Sequence, residues 1–220
     1  MNNSPTLGNL IDSRIRYTLS DLHTALPCTV LAYHPSTQSV DIQPLIRKEY
    51  SNDYIADLPI IQGIPLLFQG TTNSLISFPI NVGDIVLAVF CETSIDKWVN
   101  SQGEKVSPGK GQLHDLSDAF AIPGLQTFRT HNSPNPDNLE VRFNVGTSNE
   151  TSVKMKQDGS VDINAPLKVN INSPSSEFSG DVTISGDIQV DGISTLTGDV
   201  QADGSIVVVG TVTADDFIEV

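Results

Sequence analysis

Gly180-Asp-Val-Thr-Ile-Ser-Gly186-Asp-Ile-Gln-Val-Asp-Gly192-Ile-Ser-Thr-Leu-Thr-Gly198-Asp-Val-Gln-Ala-Asp-Gly204-Ser-Ile-Val-Val-Val-Gly210 decides how this chain is read. Its glycines (Gly180, Gly186, Gly192, Gly198, Gly204 and Gly210) stand six residues apart without a miss. Val182, Ile184, Ile188, Val190, Leu196, Val200, Ala202, Ile206, Val208, Val212 and Ala214 all take even positions, and only Ser194 breaks the set. Odd positions are mostly Asp, Thr, Ser and Gln, with Ile193, Val207 and Val209 as exceptions. A period of two places one face inward and one outward. A glycine at every third inward position means that the interior there has no room for a side chain. An earlier run, Val161, Ile163, Ala165, Leu167, Val169 and Ile171, alternates on odd positions, so the phase slips around Pro174 and its neighbouring serines.

One strand cannot bury a face by itself. A single-chain answer with period six is the left-handed β-helix of hexapeptide acyltransferases, which wants an aliphatic residue just before each small one. Here those places hold Ser179, Ser185, Asp191, Thr197, Asp203 and Val209, and no histidine falls among the hexads. The alternative is three chains wound together, each giving its even face to a shared axis, with every edge paired to another subunit. Residues 151–220 are therefore expected to form an intertwined trimeric β-helix or β-prism, with Val182, Ile184, Ile188, Val190, Leu196, Val200, Ile206, Val208 and Val212 as its core.

Charge divides the chain in the same place. The 220 residues carry 26 acids and 12 bases, a formal charge of -14. Eleven of the acids but only Lys154, Lys156 and Lys168 lie in 151–220, and no base follows Lys168. Such a balance argues against wrapping nucleic acid or docking on anionic lipid, both of which need lysines and arginines. No stretch approaches the roughly 18 apolar residues of a membrane-spanning helix. The first residues lack the pattern of a secretory signal, so assembly in a cytoplasm is expected. Cys28 and Cys91, in apolar strand-like runs, are expected to be buried free thiols rather than a disulfide scaffold or metal knuckle.

Upstream, Leu7, Leu10, Ile11, Ile15, Leu19, Leu22 and Leu26 recur at helical spacing. They predict a helix in 1–27, capped near Ser4-Pro5, stopped by Pro27 and packed on its own domain or a neighbour. From 28 to 128 the pattern turns to short strands. Thr29–His34 and Ser39–Gln43 flank a Pro-Ser-Thr-Gln turn, and Ile60-Ile61, Leu75–Phe78 and Asp84–Phe90 follow. Around five strands in that length suggest a small OB-fold-like barrel. Residues 129–150, rich in Asn, Ser and Pro, read as a linker. The fold class expected is mainly β: an N-terminal helix, the barrel, then the trimeric spike.

Three further stretches carry a resemblance: Ile76-Ser-Phe-Pro-Ile-Asn-Val-Gly-Asp-Ile-Val-Leu-Ala-Val-Phe90, Cys91-Glu-Thr-Ser-Ile-Asp-Lys-Trp98, and Gln112-Leu-His-Asp-Leu-Ser-Asp-Ala-Phe-Ala-Ile-Pro-Gly124. In this order they resemble the N-terminal domain of central spike proteins from contractile-tailed phage baseplates, over much of 27–125. Pro79, Gly83, Asp84, Phe90, Asp96, Trp98, His114, Asp115, Ser117, Asp118, Pro123 and Gly124 carry over as a structural signature, not as a catalytic site. The resemblance implies an OB-fold followed by a trimeric β-helical spike. It also implies a virion protein that caps the tail tube and punctures the host envelope when the sheath contracts. Implied partners are two further copies, hub and tail-tube proteins, a separate tip protein, and the host outer membrane in passing.

Two departures shape that expectation. Many spikes end in a His-x-His apex that binds iron, but His23, His34, His114 and His131 all precede residue 132. A plug of Phe217, Ile218 and Val220 from three chains, or a capping protein, is expected instead. No lysozyme-like insertion is visible, so no enzyme activity and no cofactor are expected. His114-Asp115 with Asp118 offers too few ligands for a metal hydrolase and reads as a loop that fixes its own backbone. Asp181, Asp187 and Asp199 read as a solvated face, since calcium wants about six to eight converging oxygens. Trp98 reads as a packed aromatic. The competing function is a trimeric receptor-binding fibre, which predicts a tip domain with exposed aromatics.

Overall fold

The computed structural model describes residues 6–50, 53–108 and 113–213. The tip residues Phe217, Ile218 and Val220 and the expected cap at Ser4-Pro5 lie outside them. In chain order the elements are α1 (Leu7–Ser20), β1 (Ala25–His34), β2 (Ser39–Pro44), β3 (Lys48–Glu49), β4 (Ile55–Ala56), β5 (Ile61–Pro65), β6 (Gln69–Thr71), β7 (Ser74–Ile76), β8 (Ile85–Phe90), α2 (Asp96–Val99), β9 (Ala119–Pro123), β10 (Leu139–Phe143), β11 (Thr151–Met155) and β12 (Val161–Asn164).

Five strands form one antiparallel sheet in the order β5-β2-β1-β8-β9. Its outer strands curl toward each other: Leu66, just past β5, makes a parallel bridge to Ala121 of β9. The Leu67 N–H donates to the Ala121 carbonyl at 2.8 Å. The result is a half-barrel with the strand number and partial opening of an OB-fold. Alternation builds its core. Cys28 and Val30 from β1, Val40 and Ile42 from β2, Val86, Ala88 and Phe90 from β8, and Ala119 and Ala121 from β9 are buried, with Ile61, Ile64 and Leu66 closing the remaining side. Period-two burial on β1, β2, β8 and β9 is what a sheet with one wet face requires, while on β5 the buried Ile61 and Ile64 stand three apart. The β1–β2 hairpin closes over Pro35–Gln38 with His34 opposite Ser39, and β1 bulges between Val30 and Ala32.

Three readings are corrected here. The helix ends at Ser20, not near Pro27, and its N-cap is Thr6, whose hydroxyl accepts from the Asn9 N–H at 3.3 Å. Leu26 lies on β1 opposite Ala88 and packs on the core, so strand pairing takes over residues whose spacing still suits a helix. Leu75–Phe78 is not a barrel strand: Ser74–Ile76 pairs only with β6 in a separate hairpin, and the fifth barrel strand is β9. Residues 129–150 are not all linker, since β10 falls inside them and pairs with β11.

The α1 residues are all exposed. Burial pushes the Cys28 thiol up to about 11, while Cys91 is only half-buried, its thiol raised by burial and then by Asp118.

Candidate functional site

The signature residues fall into two groups on the half-barrel. Pro79, Gly83, Asp84, Pro123 and Gly124 line one cleft of about 610 Å³, walled by Phe68, Phe78, Ile80 and Ile122. The turn entering β8 sets its floor. Asp84 accepts from the Asn81 N–H through Oδ2 at 2.7 Å, and the Gly83 N–H donates to the Val30 carbonyl at 2.9 Å. Gly83 holds φ +96°, a left-handed conformation that an L side chain would strain.

The second group braces the segment between β8 and β9. Asp118 is 2% exposed. Its Oδ1 accepts from the Ile95 N–H at 2.9 Å, and its carbonyl accepts from the Cys91 N–H at 2.7 Å. Asp115 folds back on its own turn, accepting from both the N–H and the hydroxyl of Ser117. Trp98, on the short α2 that begins at Asp96, meets the Phe120 ring edge-on, centroids 6.1 Å apart. His114 and Asp115 share a second recess with Asp21 and His23. There His114 holds φ +52°, and its Nδ1 is buried without a partner. Among the described residues no group of three or more His, Cys, Asp or Glu is placed to hold a metal ion.

Titration should show in this region. Burial, then Lys48, hold His23 below its ordinary value of 6.5, with Asp21 and Asp115 pulling the other way. Hydrogen bonds from the Ser117 hydroxyl and N–H hold Asp115 below 3.8, and the Gly63 N–H does the same for Asp41, aided by His34. A depressed histidine leaves the unfolded chain binding more protons as pH falls through 6.5, so stability drops there. The carboxylates contribute above their unfolded value of 3.8 and lose that contribution as pH falls through their lower folded values. Melting temperature should therefore fall in two stages, one beginning near pH 6.5 and one below about pH 4. His23→Gln should remove the first stage alone, and thermal melts across pH check it.

The rest of the chain presents faces rather than a recess. β10, β11 and β12 form a three-stranded antiparallel sheet. Beyond Asn164 the described residues carry no strand, but the chain bends at Gly180, Ser185-Gly186, Asp191-Gly192, Gly198, Asp203-Gly204 and Val209-Gly210, once per hexad. Even-position apolar side chains are 52% exposed at Ile184 and Val208 and at most 70% at Ile206. The odd-position Ile193, Val207 and Val209 are 95%, 83% and 100% exposed. The even face is thus the sheltered side of the bends. Only Gly210 has a left-handed φ; Gly180, Gly186, Gly192, Gly198 and Gly204 do not, and a Cβ on any of these six would meet nothing within 4 Å in this chain. Nothing inside one chain therefore requires the first five to be glycine.

A curled half-barrel followed by a run of glycine bends makes the described residues a mainly β protein. The family model described as "Phage protein Gp138 N-terminal domain" matches residues 26–124. The match coincides with the half-barrel and with the segment that carries the resemblance above. It indicates a phage protein and points to a structural, virion-associated one. No curated protein matches the chain.

Proposed function

We propose that this chain is the central spike of a contractile phage tail. The half-barrel of three copies caps the tail tube at the baseplate hub, and the three tails wind into a needle that the contracting sheath drives through the host envelope. The supporting observation is the set of glycines from Gly180 to Gly204. Each sits at a bend on the sheltered apolar face, with ordinary φ and open space around it. Space that a single chain leaves open yet the sequence keeps free of side chains is space that neighbouring chains fill. Three chains give each inward residue two equivalents at its own level, leaving the acidic odd positions in water.

The role needs no catalysis, cofactor or nucleic acid. The needle contributes stiffness and slow unfolding, because its backbone groups pair between chains. A separate tip protein, or the last residues themselves, would close the point.

The test is where the protein sits on the particle. Antibody against the half-barrel should label virions at a single place, the distal end of the tail tube, seen by electron microscopy. Label at the ends of lateral fibres would replace this reading with the receptor-binding one.

A further inference from the structure

We propose that α1 of each copy docks in the cleft of a neighbouring copy, with Arg14 of the helix set against Asp84 of the cleft. It rests on the several-copy reading of the tail but on residues the tail does not use. One helix in one cleft is a small contact, and it forms between copies that the tail already holds together.

The helix comes without a cover. Every residue of α1 is exposed, and fourteen residues make only a marginal helix in water. Leu7, Leu10, Ile11 and Ile15 take places i, i+3, i+4 and i+8 of one face, each exposed by half or more. The place between them, i+7, holds Arg14. Its guanidinium lies over the Tyr17 ring, 5.6 Å from the centroid, and no carboxylate pairs with it among the described residues. An apolar stripe with one cation in it fits an apolar recess with one anion in it.

The cleft at the start of β8 is such a recess. Phe68 and Phe78 wall it with their ring centroids 6.4 Å apart, beside Ile80 and Ile122. Asp84 is the one charged residue in its lining. The Asn81 N–H occupies Oδ2 of that carboxylate, and Oδ1 has no partner among the described residues. The rim decides what sort of chain can enter. Pro79 and Pro123 have no N–H, and β9 ends at Pro123, so an added strand would find its ladder broken there. A helix brings its own backbone bonds and needs only side-chain contact.

Placement makes the occupant another copy's helix. The Phe90 N–H donates to the Thr24 carbonyl at 2.9 Å, so α1 leaves the half-barrel at the last residue of β8. Gly83, Asp84 and Ile85 put the cleft at the first. Asp21, the C-cap of α1, pairs with Lys48 and keeps the helix at its own end. Six residues of strand span about 20 Å and fourteen of helix about 21 Å, so a helix leaving one copy can run the length of the next. Head-to-tail contacts of this kind close into a ring around a three-fold axis.

The test is cross-linking of full-length protein that carries Leu10→Cys on the helix and Gln69→Cys on the cleft rim, both exposed positions. A short bis-maleimide is added, and a denaturing gel is read beside the light-scattering mass. Linked pairs and triples are expected, at about five times or more the yield from either single variant or from the natural chain. Cys28 and Cys91 set that background. Arg14→Glu in the same chain should cut the linked yield about tenfold, because it sets two carboxylates together. Undiminished linkage with Arg14→Glu overturns the docking. Linkage confined within single chains overturns it in favour of a helix folded onto its own cleft. Linkage through Leu10→Cys alone overturns it in favour of helices bundled with one another. A three-chain mass with no linkage above background overturns the docking and leaves the proposed function standing, whereas a monomeric natural chain overturns both.

Discussion

Full-length protein carrying Ile184→Asp and Val190→Asp should stay single: the expected light-scattering mass is 23.6 kDa, against about 71 kDa for the three copies proposed for the natural sequence. Both residues take inward positions on the sheltered face of the bends. In a three-chain needle each substitution sets three carboxylates around one axis. Burying even one unpaired charge costs several kcal/mol, and like charges held close add to that. Two such layers exceed what a few hexads of aliphatic contact supply. In the single chain both side chains are already more than half exposed, at 52% and 56%. The defect should therefore fall on assembly and leave the half-barrel's melting unchanged. Ile193→Asp, at an odd position that is 95% exposed, should remain trimeric. A double variant that still weighs three chains would remove the even face from the interior.

Asp118→Ala should lower the stability of the half-barrel by about 3 kcal/mol. The carboxylate is buried and accepts from the backbone N–H of Ile95, the residue that caps α2. Its removal leaves that N–H without an acceptor and opens a small void beside the Cys91 backbone. Asp118→Asn keeps an amide oxygen and should lose about half as much, since an uncharged acceptor is the weaker one. Denaturant unfolding followed by fluorescence of Trp98, the single tryptophan, reads this directly, because α2 sets that ring against Phe120. A loss under about 0.5 kcal/mol would show that Asp118 does not brace this segment.

Much of this was legible from periodicity. Hexads of glycine, even-position aliphatics and the β1–β2 hairpin need only the alternation of side chains along an extended chain. What escaped the pattern escaped for physical reasons. Leu26 keeps helical spacing, yet Ala25 pairs with Val89 and Leu26 with Ala88, so β8 recruits this stretch into the sheet. β9 reads Ala-Phe-Ala-Ile-Pro, and its small residues hide a strand that exists because β8 is beside it. β10 alternates cleanly as Leu-Glu-Val-Arg-Phe, but the Asn, Ser and Pro before it masked five residues whose partner begins at Thr151. The cleft brings together Pro79 and Gly124, 45 residues apart in sequence, which only the curl of the sheet makes neighbours. Spacing along the chain carries no such information.

The tail's glycine bends also carry a genetic consequence. If each hexad is completed only by two other chains, one defective copy spoils a whole needle. A cell making equal amounts of natural chains and of chains with a milder tail substitution, one that still lets them enter mixed assemblies, would complete only about one needle in eight from natural chains alone. Such an allele would act as a dominant negative, suppressing phage yield far below half. A half-barrel substitution that unfolds its own chain before assembly would instead behave as recessive.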